Sequence, residues 1–480
     1  MTAFLLFWIY IAFSVPYTHD DWDWGLEVGL RQWLTGAVNS RFAGNFFVVL
    51  MTRSEILKTA IMGGCMFGLA VLLALLSRGG TFLGRYLAGN LLMLSIPLRI
   101  WRQTFGWVSG FANFVISAVL LLGWLLLLER VQSPEKEKKA CAAILFVYTL
   151  ILCLFIENLA LLLLGLSLLA VILSAVRRRG MLTALCSLAG AAIGCFLLFF
   201  NPLYADLGET GVALGGIRSL SFSMDGGLPA ALDAVAYRYA AVLLPELFLL
   251  SPSFCVMMAV FPLLCFRRGD RKQLLAILPA VYGLLCRFPE AVPMPMRATG
   301  ACLCWGVSLF AALASEKGRI RCVAPILLAL GSMAPLAAVT EAGERLFFLP
   351  FVLFALATLD RAAPLLDRRL PLLVSTAALC LQVGWYGYVY NCVNQSSELR
   401  RELLSQTVEN AHAEVVLPTE GYAIWWGRNP QADWRADYYR RFYGLPDDLT
   451  LIFLPAGSLD CWPEIRDDDW EKRMEYPPYR

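Results

Sequence analysis

Long apolar segments recur along most of the chain, and they constrain its fold more than any other feature. A helix needs about 20 mostly apolar residues to cross the hydrocarbon core of a bilayer, and thirteen segments approach or exceed that length. We therefore predict an all-α polytopic membrane protein with the lipid bilayer as its main partner. The predicted spans are roughly 1–17, 56–77, 82–98, 111–129, 140–156, 159–176, 181–200, 248–266, 273–288, 298–315, 322–340, 346–360 and 370–390.

Composition supports this class and excludes others. Hydrophobic residues make up 59% of the chain and charged residues only 16%, whereas soluble domains carry about 25% charged residues. These values exclude a disordered chain, a secreted disulfide scaffold and a nucleic-acid binder. The chain has only two histidines and no Cys/His cluster with zinc-site spacing, so we expect acid–base chemistry to fall to carboxylates.

The positions of lysine and arginine predict the topology, because these residues collect in cytoplasmic loops. Alternate loops hold 19 of the 40 basic residues, and the five short loops on the other side hold seven. This bias predicts a cytoplasmic N-terminus and an extracytoplasmic C-terminus. We divide the chain into a membrane domain, 1–390, whose first extracytoplasmic loop is 17–58, and a small extracytoplasmic α/β appendage, 391–480. The basic loops are 78–85, 130–139, 177–180, 267–272, 316–321 and 361–369.

The densest polar cluster follows the first predicted span and reads His-Asp-Asp-Trp-Asp-Trp over 19–24. Ionisable residues at a membrane are functional candidates by default. Two segments after the cluster, 25–36 and 39–57, predict amphipathic helices that lie on the membrane surface. From the spacing alone, a solvated loop with interfacial tryptophans fits the cluster as well as a functional site does.

Other polar residues on the same side lie at the ends of spans. Arginine suits phosphate, because its guanidinium is permanently charged and can donate two parallel hydrogen bonds. Tryptophan can stack on a sugar, although a place at the membrane interface fits each tryptophan better. Taken one by one, these residues also fit a role as anchors of helix ends. The candidates for substrate or phosphate binding are Arg99, Arg102, Trp107, Asn113, Glu157, Arg297 and Arg345.

The last 90 residues predict a small α/β piece. Residues 397–413 read as an amphipathic helix, 413–418 and 448–455 as strands, and 433–444 as a helix that ends before Gly444. Aromatic residues are dense here. They serve either as a carbohydrate platform or as a small core, and packing is the favoured interpretation.

These features resemble the GT-C superfamily of membrane glycosyltransferases, in which an acidic pair follows the first span and surface helices come next. The resemblance extends along most of the chain and narrows to a large bacterial multi-spanning family related to glucosyl and mannosyl transferases that use polyprenyl-phosphate sugars. The chain has Asn39-Ser40-Arg41 where that family has Asn-Gly-Arg, and it lacks the large periplasmic domain of oligosaccharyltransferases. The motifs are HDDWDWG at 19–25, NSRF at 39–42, WVSGFAN at 107–113, FIEN at 155–158 and FYGLPDD at 442–448.

The resemblance implies a GT-C-like fold in a bacterial plasma (inner) membrane and a specific chemistry. A sugar would pass with inversion from a polyprenyl-phosphate donor to a glycan or lipid acceptor. Asp21 would be the general base, with Asp20 as its alternative or partner. Asp21 and Asp23 share a side if that segment is extended, and could then hold Mg²⁺ or Mn²⁺. Arginines would stabilise the leaving phosphate, and the candidates are Arg99, Arg102, Arg297 and Arg345.

Three other functions remain open at this stage. A transporter or flippase of lipid-linked saccharides would place ionisable groups near the bilayer midplane, often at broken helices and internal repeats; this chain shows no convincing repeat. An O-antigen polymerase or ligase would share the substrate class but not the reaction. A non-catalytic scaffold would use the appendage to bind a partner.

Overall fold

The computed structural model describes residues 1–131, 139–213, 218–223, 225–266, 269–315, 319–340, 342–410, 413–418 and 433–453. Within those ranges, nine helices are long and apolar enough to cross a membrane. The chain is an all-α polytopic membrane protein, as predicted. The nine helices are Glu55–Leu76, Val108–Glu129, Glu157–Arg177, Met181–Phe199, Gly227–Leu250, Met294–Ala314, Ile320–Ala338, Glu344–Leu365 and Arg369–Glu409.

Eight of these nine helices coincide with predicted spans. The ninth, Gly227–Leu250, was not predicted as a span; its π-helical turn Tyr239–Leu243 carries the helix on into the apolar segment Leu244–Leu250. The other five predicted spans coincide with shorter helices, so the total of thirteen stays a prediction. These shorter helices are Thr2–Ser14, Phe82–Leu94, Lys139–Cys153, Pro252–Cys265 and Ile277–Leu285.

Short elements connect the long helices. The remaining α-helices are Asp21–Gly25, Glu27–Thr35, Phe42–Thr52, Leu98–Thr104, Pro202–Thr210 and Asp433–Phe442. A second π-helical turn, Phe111–Val115, begins one span. The 3₁₀ turns are Arg271–Ala276, Pro289–Ala291, Ala334–Ala338, Glu344–Phe347 and Ala363–Leu365. A two-residue strand, Val212–Ala213, pairs antiparallel with Arg218–Ser219.

The helix Arg369–Glu409 joins two elements that the sequence predicted separately, the span 370–390 and the amphipathic helix 397–413. No proline or glycine separates them between 391 and 396, so the helix continues for 41 residues. At 1.5 Å per residue it is about 60 Å long, roughly twice the thickness of a bilayer core. The helix is therefore longer than a single crossing requires.

The described C-terminal elements follow the predicted order of strand, helix and strand. Strand Glu414–Leu417 pairs in parallel with strand Thr450–Phe453, and the helix Asp433–Phe442 lies between them in sequence. Residues 419–432 and 454–480 of the predicted appendage lie outside the described residues. A small second core forms here, and it includes Trp22 from the first loop; its members are Trp22, Leu404, Val415, Leu417, Tyr439, Leu445 and Leu449. The C-terminal elements thus pack on the segment that holds the acidic cluster.

The first loop is more buried than the sequence predicted. Its two helices, Glu27–Thr35 and Phe42–Thr52, fall within the predicted surface segments. Phe42–Thr52, however, buries Gly44, Asn45 and Val48 together with Val49, Met51 and Thr52. The reason is that this segment carries apolar side chains around most of its circumference, and a helix of that kind packs into a core.

Candidate functional site

Asp21 closes a turn that leads from the first helix of the chain into the short helix Asp21–Gly25. Its backbone N–H donates to the Thr18 carbonyl (3.0 Å), and its Oδ2 accepts from the Thr18 N–H (3.0 Å). Its Oδ1 accepts from the backbone N–H of Ser109 (2.9 Å) and from the Ser109 hydroxyl (2.6 Å). Asp21 is fully buried. This carboxylate therefore joins two segments that are distant in sequence.

Asp20 lies in a different environment from its neighbour. It is half-buried, and its Oδ1 accepts from the indole Nε1–H of Trp107 (3.0 Å). Residues 18–23 are hereafter called the acidic turn. Within it, Asp21 holds the backbone in place while Asp20 faces Trp107, so the two adjacent carboxylates differ in their surroundings.

Arg345 packs against Trp107 and brings a positive charge to the acidic turn. Its Cζ lies 5.5 Å from the centroid of the indole ring and 5.7 Å from that of Phe114, within the range of a cation–π contact. Gln103 Oε1 accepts from the backbone N–H and from Nη1 of Arg345 (both 3.4 Å), while Gln103 Nε2 donates to Glu344. Gln103 thus links the turn Glu344–Phe347 to the helix Leu98–Thr104.

His19 completes the cluster with a rare backbone conformation. Its φ is 54°, in the left-handed region that costs a non-glycine residue about 1–2 kcal/mol. Its ring meets the Trp107 ring edge-on with centroids 5.8 Å apart, and its Nδ1 lies 3.5 Å from Arg435 Nη1. Residues in such conformations cluster at functional sites. A histidine of the predicted polar cluster therefore also contacts Trp107, the residue that binds Asp20.

The C-terminal helix Asp433–Phe442 covers the acidic turn. The Trp22 and Tyr439 rings meet edge-on with centroids 5.3 Å apart, and the Tyr17 and Phe442 rings do so at 5.2 Å. A Cβ at Gly25 would lie 2.2 Å from a ring carbon of Phe442, so only glycine allows this approach. The C-terminal elements are therefore part of the surroundings of the site.

Burial raises the pKa of all three carboxyl groups of the acidic turn. For Asp20, the loss of hydration outweighs the Trp107 hydrogen bond and the charge of Arg345, both of which lower the pKa. The pKa values of Asp21 and Asp23 are raised first by burial and second by the negative charge of Asp20. A carboxylate whose pKa is raised toward neutrality is a stronger base than an ordinary one, which suits general base catalysis near pH 7.

The metal site predicted at Asp21 and Asp23 depends on how these two side chains are oriented. The premise that 21–23 is extended is wrong, because Asp21–Gly25 is helical, and residues two apart in a helix do not face the same way. Both oxygens of Asp21 already accept from N–H and O–H donors, while Asp23 Oδ1 is buried without a hydrogen-bond partner. Among the described residues, no group of three His, Cys, Asp or Glu side chains could hold a metal ion. This donor set does not fit Mg²⁺ or Mn²⁺.

A second polar cluster brings together two motifs that are far apart in sequence. Both Nε and Nη2 of Arg41 donate to the two carboxylate oxygens of Glu157, at 2.7–3.1 Å, and the Tyr204 hydroxyl also donates to Glu157. Asn39 Oδ1 accepts from the Arg41 N–H (3.1 Å), which shapes the turn before it. We call Arg41, Glu157 and Tyr204 the ion-pair cluster. Glu157 therefore has protein partners in the place where a substrate contact was predicted.

Asn113 lies between the two clusters. It sits in the π-helical turn Phe111–Val115, and its Nδ2 donates to the Ser109 carbonyl (2.9 Å). Its Oδ1 is buried without a hydrogen-bond partner and faces Gly44, where a Cβ would lie 2.1 Å away. π-Helical turns are frequent at functional sites. The orphaned oxygen leaves Asn113 as a candidate to accept a hydrogen bond from a ligand.

The predicted phosphate-binding arginines fall into two groups. Arg99 and Arg102 lie on the helix Leu98–Thr104, which packs against the turn that carries Arg345. Arg297 lies elsewhere: its Nε donates to the Val292 carbonyl (2.7 Å) and its Nη2 donates to the Pro289 carbonyl. Within the described residues, Arg297 thus fastens its own turn and makes no contact with Asp20.

The sequence did not single out several residues that build the site. Ser109 and Gln103 are uncharged, and their only signal is that they lie near Trp107. Arg435 belongs to a helix that was assigned to a separate appendage. Trp101, a candidate for the interface, is fully buried and donates from Nε1 to the Tyr390 hydroxyl (2.7 Å).

Three comparisons with known proteins found no match for the chain. It matches no family model, no curated protein and no solved structure. What the chain does must therefore be argued from its own residues.

Proposed function

We propose that this chain is a membrane glycosyltransferase of GT-C type. It transfers a sugar from a polyprenyl-phosphate donor to a glycan or lipid acceptor and inverts the anomeric centre. The observation that carries the proposal is the environment of Asp20. This half-buried carboxylate has a raised pKa, is oriented by Trp107 and lies near the guanidinium of Arg345.

The mechanism assigns one role to each member of this group. Asp20 takes the proton of the acceptor hydroxyl, and the oxygen attacks the anomeric carbon from the side opposite the phosphate. The bond between the anomeric carbon and the phosphate oxygen breaks, and polyprenyl phosphate leaves with the electron pair. Arg345 is placed to stabilise the charge that develops on the leaving phosphate.

The structure favours Asp20 over Asp21 as the base. Three donors already occupy the oxygens of Asp21, and deprotonating an acceptor needs an oxygen that the acceptor can reach. Asp21 instead fixes the position of Asp20 in the chain and of Ser109 beside it. No step of the mechanism passes through a metal, since the donor set does not fit one.

The test is the substitution Asp20→Asn in purified protein. A general base contributes about 10²- to 10⁴-fold, so we expect sugar transfer from a polyprenyl-phosphate donor to fall by that factor without loss of thermal stability. Asp233→Asn is the matched control, because Asp233 is exposed and lies on another helix. Full activity in Asp20→Asn would remove the basis of the proposal.

We also propose the finer topology: the thirteen spans predicted from the sequence, without Gly227–Leu250, in a bacterial plasma membrane, with a cytoplasmic N-terminus and an extracytoplasmic C-terminus. The distribution of basic residues supports it. Arg178 and Val416 are both exposed and lie on opposite sides of the proposed topology. In a background without reactive cysteines, Val416→Cys should react with an impermeant thiol reagent on intact cells, and Arg178→Cys only after permeabilisation. The reverse pattern would invert the topology.

A further inference from the structure

We infer a second binding site, for a phosphate-bearing anion, in a cavity beside the acidic turn. The cavity measures about 130 Å³ and lies where the helix Glu55–Leu76 begins, between the end of Thr2–Ser14 and the far part of Arg369–Glu409. Its lining includes none of Asp20, Trp107 and Arg345. The inference is therefore independent of the proposed transferase function.

Positive charge dominates the lining of this cavity. Lys58, Arg400 and Arg401 line it, and Glu55 is the one carboxylate among the described lining residues. Lys58 is 1% exposed, yet its Nζ donates to the Val15 carbonyl (2.5 Å) and pairs with Glu55 (2.5 Å). Arg400 also donates from Nε to the Pro418 carbonyl (2.7 Å), so the exposed Arg401 supplies the positive charge that is left over at the cavity. A surplus of this kind beside a cavity attracts an anion.

Two lining groups are placed to bind such an anion. Ser397 is 9% exposed, and its Oγ is buried without a hydrogen-bond partner. A buried hydroxyl normally has a partner, because leaving it unsatisfied costs about 1–3 kcal/mol. Arg401 lies one helical turn farther along and is exposed; within the described residues its side chain makes no hydrogen bond or ion pair. Residues four apart face the same side of a helix.

The chemistry of these groups identifies the class of ligand. Guanidinium and hydroxyl are both donors, and phosphate offers several strong acceptor oxygens. The cavity has about four times the ~30 Å³ that a water molecule takes in the liquid, which is room for one phosphate group. Because the cavity lies at the start of a span, the phosphate can belong to a lipid headgroup or to a free anion.

Thermal unfolding of the purified full-length protein in detergent tests the site. Sodium phosphate should raise the Tm in a saturable manner relative to sodium chloride at equal ionic strength. Arg401→Gln and Ser397→Val should each weaken the apparent phosphate affinity at least fivefold, the second by filling the cavity. Arg369→Gln is the matched control, because it removes an exposed arginine from the other end of the same helix, and it should respond as the wild type does.

A second measurement distinguishes the two sources. The protein is reconstituted in nanodiscs of phosphatidylcholine with or without phosphatidylglycerol, and retained lipid is counted by native mass spectrometry. If phosphatidylglycerol is retained, is displaced by phosphate and is not retained by Arg401→Gln, the ligand is a lipid headgroup. A phosphate-dependent Tm shift without retained lipid identifies a free anion. If neither appears, or if both persist unchanged in Arg401→Gln and Ser397→Val, the inference is wrong.

Discussion

The acidic turn and the ion-pair cluster both looked like charged span ends in the sequence, yet they differ in how their charges are balanced. In the ion-pair cluster, Arg41 donates to both oxygens of Glu157. In the acidic turn, three carboxyl groups lie within four positions, and their pKa values are raised. One cluster neutralises itself, whereas the other holds like charges close together.

This difference separates a structural role from a functional one. A well-paired charge is explained by the fold that surrounds it. Buried like charges with an orphaned oxygen on Asp23 cost free energy, and proteins keep such arrangements mainly at sites of function. Four predictions, ordered by expected effect, can break or sharpen the comparison.

Of these four predictions, the loss in Arg345→Gln should be the largest, and it should affect activity alone. Removing one group that stabilises developing negative charge costs about 10²- to 10³-fold in rate, so kcat for sugar transfer should fall by that factor. Arg345→Lys should recover part of the loss, because it restores a charge without the two-pronged geometry of guanidinium. An unchanged kcat in Arg345→Gln would show that this arginine only packs against Trp107.

Breaking the ion-pair cluster should reduce stability. Removal of one partner of a buried pair costs about 3–5 kcal/mol, and we expect about 2–4 here because the two side chains are 17% and 22% exposed. The double variant Arg41→Gln/Glu157→Gln should lose less free energy of unfolding than the two single variants lose together. Denaturant unfolding in mixed micelles measures these losses. If Glu157→Gln stays folded but loses activity, Glu157 contacts substrate after all.

Asp21→Asn should destabilise the protein more than Asp20→Asn does. Asp21→Asn would turn an NH₂ group toward one of the N–H groups that now donate to the carboxylate. Two donors would then face each other, which should lower the free energy of unfolding by about 1–3 kcal/mol. An Asn at position 20 can still accept from Trp107 through its amide oxygen. Thermal unfolding of the two variants side by side measures the difference, and equal Tm values would contradict the separation of roles.

Trp107→Phe should give the smallest effect, a shift of the pH profile. Asp20 must be deprotonated to act as a base, so activity falls as the pH drops below its raised pKa. The Trp107 hydrogen bond lowers that pKa, and its loss should move the acidic limb of the kcat/KM profile to higher pH. A shift to lower pH, or none, would mean that another group sets the limb.

Hydropathy predicted the long spans, because polar groups are costly in lipid and each crossing segment must therefore be apolar by itself. Glu157–Arg177 and Met181–Phe199 are examples. It failed where helices continue beyond an apolar window. The helix Arg369–Glu409 was divided in two, and Gly227–Leu250 was not predicted as a span, since nothing in a local average reports how far a helix extends.

The site was predicted only in part, for a similar reason. Their charge made Asp20, Asp21 and Arg345 candidates in the sequence. Charge alone does not show which carboxylate already accepts hydrogen bonds from the protein. The decisive contact, between Asp21 and Ser109, spans 88 positions. The cover that Asp433–Phe442 forms over the acidic turn could not be predicted either, because it depends on a core that joins Trp22 to Tyr439.

By itself, the sequence determined that this chain is a membrane protein. It also determined which segments can cross a membrane and which segments carry the few charges, since all of this follows from local composition. Only the tertiary structure decided which of those charges are paired, as in Arg41 and Glu157, and which are crowded, as in the acidic turn. The physical reason is that pairing depends on distance in space, and buried charges interact strongly only within a few ångströms. That distance is set by packing between segments that the sequence keeps far apart.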